Sequence, residues 1–351
     1  MNDKKKGARM ALCLAMLLLS LLVLQIASRP TKKDHCAAML DAAVRTQLAF
    51  DAVKAERIRR GIPLSLADDP NQTGLIFHEF TGITTTLGSL DAKRTTTNPN
   101  MAALIVDMLH SAGIGEGDCV AVNLSGSFPA LDIATLCALD ALHLRGMIIP
   151  SVGASTYGAT DPAFTYLDIE HFLYEGGYVS QKSLAFSLGG ADDMGLEMPE
   201  ALRTSIQTRL AMLGYQLLCL SDLDENIRVR VSLFEASGAV KCLINVGGNL
   251  PSFGSGSGLS HVEAGILTTL PTGESGNGLA QHYLRRGIPV IHLLNMKGLS
   301  ARYGLPYDPV QIPAPGDGSI YLTNAPPPML SWSLFGLNVF ALCLMLKKTK
   351  R

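Results

Sequence analysis

No CxxC pair occurs in this chain, and the cysteines between its apolar ends, Cys36, Cys119, Cys137, Cys219 and Cys242, are odd in number. A fully paired disulfide framework is thereby excluded, and buried free thiols are expected. Phosphate-binding GxGxxG and GK[ST] loops are missing, so nucleotide binding has no support. The GxSxG elbow of many serine hydrolases is missing too. No repeat, low-complexity tract or collagen-like period accompanies the 34 glycines and 18 prolines, which therefore serve turns in a folded domain. Charge is sparse at 17% against 47% apolar residues, which excludes disorder.

Two long uncharged runs stand at the ends. Met10 to Ala27 approaches the ~20 residues that span a hydrocarbon core, and Met329 to Leu346 is a second such run, with Trp332 placed for an interface. Lys4, Lys5, Lys6 and Arg9 would also suit a signal peptide, but Gln25 spoils the small-x-small cleavage pattern, so an uncleaved anchor is expected. Lys347, Lys348, Lys350 and Arg351 follow the second run, whereas the preceding twenty residues hold no Lys or Arg. The positive-inside bias then puts both tips in the cytoplasm, with Arg29, Lys32 and Lys33 opposing it. The expected order is a tip (1–9), a transmembrane helix (10–27), an outer domain (28–328), a transmembrane helix (329–346) and a tip (347–351). The bilayer of a bacterial cytoplasmic membrane is its expected surroundings. The outer domain carries 21 bases against 29 acids, and such a net charge of −8 repels nucleic acid and other polyanions at long range.

Within that domain, residues 34–60 read as a membrane-proximal helix with Leu40, Val44 and Leu48 at four-residue steps, ended by Gly61-Ile62-Pro63. Asp68-Asp69-Pro70-Asn71 reads as a turn and matches no calcium loop. Four continuous apolar runs, Asp118 to Leu124, Arg145 to Val152, Ala239 to Val246 and Gly287 to Asn295, each open into polar or glycine-rich segments, with a helix over Ala130 to Leu144. Such runs suit strands covered on both faces. The expected fold is α/β, a mostly parallel sheet with helices on both faces, flanked by the two transmembrane helices. Ligands of such sheets bind at the carboxyl ends of the strands, where Ser125, Ser127, Ser155, Asn249 and Asn295 would gather.

Two kinds of chemistry fit those residues. Ser125-Gly126-Ser127, between strand and helix, would offer amides and hydroxyls to an anion. Residues 84 to 100, TTTLGSLDAKRTTTNPN, place Lys93, Arg94 and Thr95 ahead of a helix started by Asn98 and Pro99, which reads equally as a carboxylate cradle or an extended connector. A serine nucleophile, Ser127 or Ser155, is the sharper alternative, with His292 as base and Asp168 as orienter. Asp168-Ile169-Glu170-His171 would suit acid/base or metal chemistry, but Thr165 and Asp168 also form a helix capping box, which accounts for the acid alone. No metal and no cofactor is expected.

The strings GITTTLGSLDAKRTTTNPN, GDCVAVNLSGSFPALDIATL, IPSVGASTYGATDPAFTYLDIE, SLGGADDMG, INVGG and GIPVIHLLN followed by YGLP together resemble the bacterial family of poly-gamma-glutamate system proteins, over roughly Gly74 to Pro306. The resemblance implies an accessory role beside the membrane machinery that makes and exports the polymer. Poly-gamma-glutamate or glutamate and the other membrane proteins of that system would be its partners. It carries no catalytic residue with it. The stretch from GIGEGD to ALDAL also looks like the early strand and helix of AMP-forming ligases, yet their phosphate loop is missing. A hydrolase or transferase acting on the gamma-glutamyl polymer through a strand-end serine is the enzymatic alternative.

Overall fold

A computed structural model describes residues 2–218, 220, 222–236, 238–254, 263–270 and 276–347. The expectations for Cys219 and for the basic tip residues Lys348, Lys350 and Arg351 lie outside these residues. The chain divides into two compact units, one from Met1–Asp34 with Tyr321–Arg351, the other His35–Ile320.

The first unit holds α1 (Asn2–Ala27), β1 (Arg29–Lys32), β9 (Leu322–Ala325) and α12 (Pro328–Lys347). Strands β1 and β9 pair antiparallel, with Arg29 opposite Ala325. Helices α1 and α12 touch, and the Asn338 amide donates to Ser20 Oγ at 2.9 Å. Among the described residues one segment, Met10–Ala27, is long and apolar enough to cross a membrane, a property a signal sequence shares. The apolar part of α12, Pro328–Leu344, is shorter than that.

In the second unit, α2 (Cys36–Arg59) is the expected helix, but its buried face is not the expected one. Leu40, Val44 and Leu48 are 42%, 41% and 56% exposed, whereas Met39, Ala42, Ala43, Ala49 and Val53 are fully buried. Alanines let α2 approach α4 (Met101–Ser111) and α5 (Pro129–Ala141) closely, so the smaller side chains form the seam.

The five-stranded sheet runs β4-β3-β6-β8-β7. Strands β3 (Cys119–Ser125), β4 (Arg145–Ser151), β6 (Val240–Val246) and β8 (Val290–Leu293) are parallel, and β7 (Gly265–Leu267) is an antiparallel edge. The sheet is thus mixed and mostly parallel. Side chains alternate across it. Cys119, Ala121, Met147, Ile149 and Leu243 share one face with α8 (Leu223–Glu235) and α10 (Leu279–Arg285). Val120, Val122 and Ile244 take the opposite face, also fully buried. Both faces are covered, which is why these strands read as continuous apolar runs.

The threonine-rich stretch is folded differently from its sequence reading. Thr84–Thr86 forms β2, parallel to the short β5 (Ala154–Ser155), and Leu90–Thr96 forms helix α3. Ser89 caps α3 by accepting from the Ala92 amide at 3.3 Å. Thr95, Thr96 and Thr97 donate their hydroxyls at 2.7 Å to the carbonyls of Asp91, Lys93 and Arg94, respectively, so threonines that usually disfavour helix are accommodated by bonding back along the turn. Lys93 and Arg94 therefore lie inside a helix, not in an extended approach to one. Around the sheet, α6 (Tyr166–Glu175) and α7 (Glu200–Met212) enclose a second apolar cluster with Ile83, Phe186 and Tyr215. The short α9 (Leu250–Phe253) and α11 (Met296–Tyr303) follow β6 and β8.

Candidate active site at the strand ends

The carboxyl ends of β3 and β4 and the loop after β6 open on a cavity of about 600 Å³, lined in part by Ser125, Ser127, Ser155, Asn249 and Gly88. Four of the five residues expected on the rim therefore share one cavity. The fifth, Asn295, caps α11 by accepting from the Gly298 amide at 3.0 Å.

Helix α3 turns Lys93 beneath this cavity, leaving it 2% exposed. Its Nζ lies 2.6 Å from Ser155 Oγ and donates to the Ser127 carbonyl. The same nitrogen sits 3.8 Å from the centre of the Phe128 ring. Burial pushes the amine down from its ordinary 10.5 to about 7, with the charge of Asp132 pulling the other way. Asp132, in the first turn of α5, is fully buried, and neither carboxyl oxygen has a hydrogen-bond partner within standard geometry. Burial holds that carboxyl well above the usual range, opposed by Lys93 and by the Ser125 backbone. Desolvation thus opposes the charged form of both groups.

Ser155 is placed by its backbone. Its amide donates to Ser127 Oγ at 3.0 Å, and Ser125 Oγ donates to Ser127 Oγ at 3.0 Å. Gly88 closes over the pair: a Cβ there would stand 2.7 Å from Ser155 Oγ and 3.2 Å from Lys93 Cε. Only glycine leaves that approach open. Thr156 holds the Gly88 loop in register, accepting from its amide at 2.8 Å and donating to its carbonyl at 3.0 Å.

The anion cradle expected of Ser125-Gly126-Ser127 does not form. The Gly126 amide donates to the Ser151 carbonyl, that of Ser127 to Ser125 Oγ and that of Phe128 to the Ser125 carbonyl, so the loop consumes its own donors. The basic pair is split as well. Arg94 forks onto Asp308 at 2.7 and 3.0 Å and reaches Asp91 at 3.0 Å, while Thr95 Oγ1 accepts from the Asp308 amide. Both residues fasten the segment around Asp308 to α3, leaving Lys93 alone at the cavity.

The expected triad is not assembled either. His292 Nδ1 is 3.0 Å from the Asn245 amide nitrogen, and burial lowers the imidazole to about 4. Asp168 makes the capping box with Thr165 and a bidentate pair with Arg209 at 2.9 and 3.0 Å, which accounts for its charge. Glu170 is buried against Ser183 and Tyr215, and burial raises its carboxyl. Asp69 closes its turn by accepting from Thr73 Oγ1 and the Gly74 amide. Among the described residues no cluster of metal-binding side chains occurs.

A second polar cluster escaped the sequence reading. Asn123, Asn245 and His292 stand side by side across β3, β6 and β8 on the face that packs against α8. Arg230, 1% exposed, pairs with Asp193 at 2.7 Å and donates to Asn123 and Ser187. Asp192 and Asp193 hold left-handed φ values of 52° and 64°, between Gly190 and Gly195. Such strain persists where the surroundings over-determine it, and here it forms one wall of the cavity. The only sequence signal was the glycine-flanked acid pair of GGADDMG.

Comparison of the chain with family models, curated proteins and solved structures finds no match.

Proposed function

We propose that this chain is a membrane-anchored acyl hydrolase or acyltransferase of the cell envelope, with Ser155 as nucleophile and Lys93 as its general base. The observation that carries this reading is the buried Lys93 amine, 2.6 Å from Ser155 Oγ at a cavity and with its pKa brought to about 7. A base tuned near neutrality beside a hydroxyl is what nucleophilic serine chemistry requires. Keeping a lysine neutral there costs on the order of 5 kcal/mol, and costs of that size gather at functional sites.

The step balances within the site. As Ser155 Oγ bonds to the substrate carbonyl carbon, its proton passes to Lys93 Nζ. When the tetrahedral adduct collapses, the ester or amide bond breaks and Lys93 returns the proton to the departing oxygen or nitrogen. Water or an amine then attacks the acyl-serine and loses its proton to Lys93; as the acyl–Oγ bond breaks, Lys93 passes that proton to Ser155 Oγ, restoring both residues.

The resemblance to poly-gamma-glutamate system proteins suggests work beside that polymer's machinery. An accessory role that binds the polymer is less favoured, because Arg94 is engaged with Asp308 and the serine loop's amides are used internally. A two-span anchor with both tips in the cytoplasm completes the reading. It draws support from the packing of α12 on α1 and the Asn338 to Ser20 bond, the kind of polar contact that joins helices in lipid.

A fluorophosphonate probe on the full chain in detergent tests the reading. Ser155 should be labelled, as mapped by peptide mass spectrometry, and Ser155→Ala and Lys93→Met should each remove the label. Labelling that survives both changes would sink it. Protease accessibility of the His35–Ile320 unit in intact cells tests the topology.

A further inference from the structure

The cavity has a charge character that bears on its substrate. Among the described residues, the acids Asp193 and Glu197 line it and no Lys or Arg does. Asp193 is neutralised from below by Arg230. Glu197 is exposed, accepts from the Ala191 amide at 2.8 Å and has no ion pair among the described residues. The segments outside the described residues at 219, 221, 237, 255–262 and 271–275 contain neither Lys nor Arg. Lys93 lies under the cavity, with its nitrogen committed to Ser155 and the Ser127 carbonyl. Apolar surface comes from Leu87, 76% exposed at the mouth, with Phe128, Leu250 and Leu294.

We infer that the acyl donor is uncharged over the stretch that enters this cavity, an aliphatic ester or amide, and that Glu197 at the rim rejects acyl chains bearing a carboxylate. The inference rests on the Ser155–Lys93 reading. Its physical basis is that an anion placed there loses hydration and gains no cation from the lining, while meeting the carboxylate of Glu197 across the cavity. Discrimination of this kind is built from repulsion as much as attraction. It has a sharp consequence for the polymer. In a gamma-glutamyl unit the free carboxylate is attached three carbons from the scissile carbonyl, so it would enter with the acyl chain. Interior polymer bonds are then poor substrates, and the acyl group handled is a neutral one.

Three methyl esters of matched length test this on the full chain in detergent: methyl pentanoate, monomethyl glutarate and the methyl ester of 4-(trimethylammonio)butanoate. The glutarate places its carboxylate three methylenes from the carbonyl, as in the polymer. Methanol release should show kcat/KM for glutarate at least about tenfold below that for pentanoate, with the cationic ester not below glutarate. Glu197→Gln should narrow the gap, and Glu197→Lys should bring glutarate level with pentanoate. Thermal melts of both variants confirm that this exposed position leaves the fold intact. Equal or faster turnover of glutarate, or a gap unmoved in both variants, overturns the inference while leaving the serine reading standing. Absence of turnover together with absence of fluorophosphonate labelling overturns both.

Discussion

Two buried polar clusters lie near the strand ends, and they are built on opposite principles. Around Arg230, every charge meets a partner: Asp193 at 2.7 Å, with Asn123, Ser187 and Asn226 completing the shell. Around Lys93, neither oxygen of the buried acid has a hydrogen-bond partner within standard geometry, and burial draws the amine down to about 7. A satisfied network makes one arrangement rigid, whereas an under-satisfied one stores the desolvation cost that makes a group reactive.

Removing the hydroxyl should break the comparison hardest: Ser155→Ala is expected to lower kcat/KM about 10³-fold or more in the ester assay, with little change in melting temperature. On the scaffold side, Arg230→Met leaves Asp193 charged and buried, so chemical denaturation should show a loss of about 3–5 kcal/mol.

Next comes Gly88→Ala. Its Cβ would meet Ser155 Oγ at 2.7 Å, so activity should fall about 10²-fold while stability, followed by thermal melts, moves by less than about 1 kcal/mol. Its φ is not in the left-handed region, so the loss is steric.

The pH profile sharpens the same contrast. Lys93 must be neutral to accept the serine proton, so kcat/KM should rise about tenfold per pH unit below 7 and level off above it. Stability carries the opposite side of that shift. Between about 7 and the ordinary 10.5, the unfolded chain holds a proton on Lys93 that the folded chain has released, so stability rises with pH across that window. Lys93→Met should flatten the rise and raise the melting temperature near neutrality, while abolishing ester turnover. A melting curve that falls from pH 7 to 10 in the parent relative to the variant would contradict it.

The smallest effect is expected at His292→Gln. The imidazole is lowered to about 4 and bonded to Asn245, so the change should cost about 1–2 kcal/mol and leave fluorophosphonate labelling in place.

The four parallel strands showed as apolar runs because both faces are covered, and α2 showed by its length and its Gly61 stop. Its face was misread, since leucines outrank alanines in any apolarity pattern, while close helix packing selects the alanines. Helix α3 was hidden by its threonines, whose hydroxyls bond back to Asp91, Lys93 and Arg94. Ser127 and Ser155 line the cavity as their place after strands suggests, whereas His292 is bonded to Asn245. No local pattern says that a lysine 62 residues earlier meets Ser155.

Strand and helix periodicity, an apolar N-terminal segment and serines at the ends of covered strands follow from the sequence by itself, because each depends on neighbours within a turn or a strand. Which of Lys93 and Arg94 is buried beneath the cavity, and with what pKa, was decided only by tertiary structure. Burial, the depth of Asp132 and the 2.6 Å approach to Ser155 arise from segments brought together across α3, α5 and β5, and desolvation is a property of that assembly rather than of any residue in it.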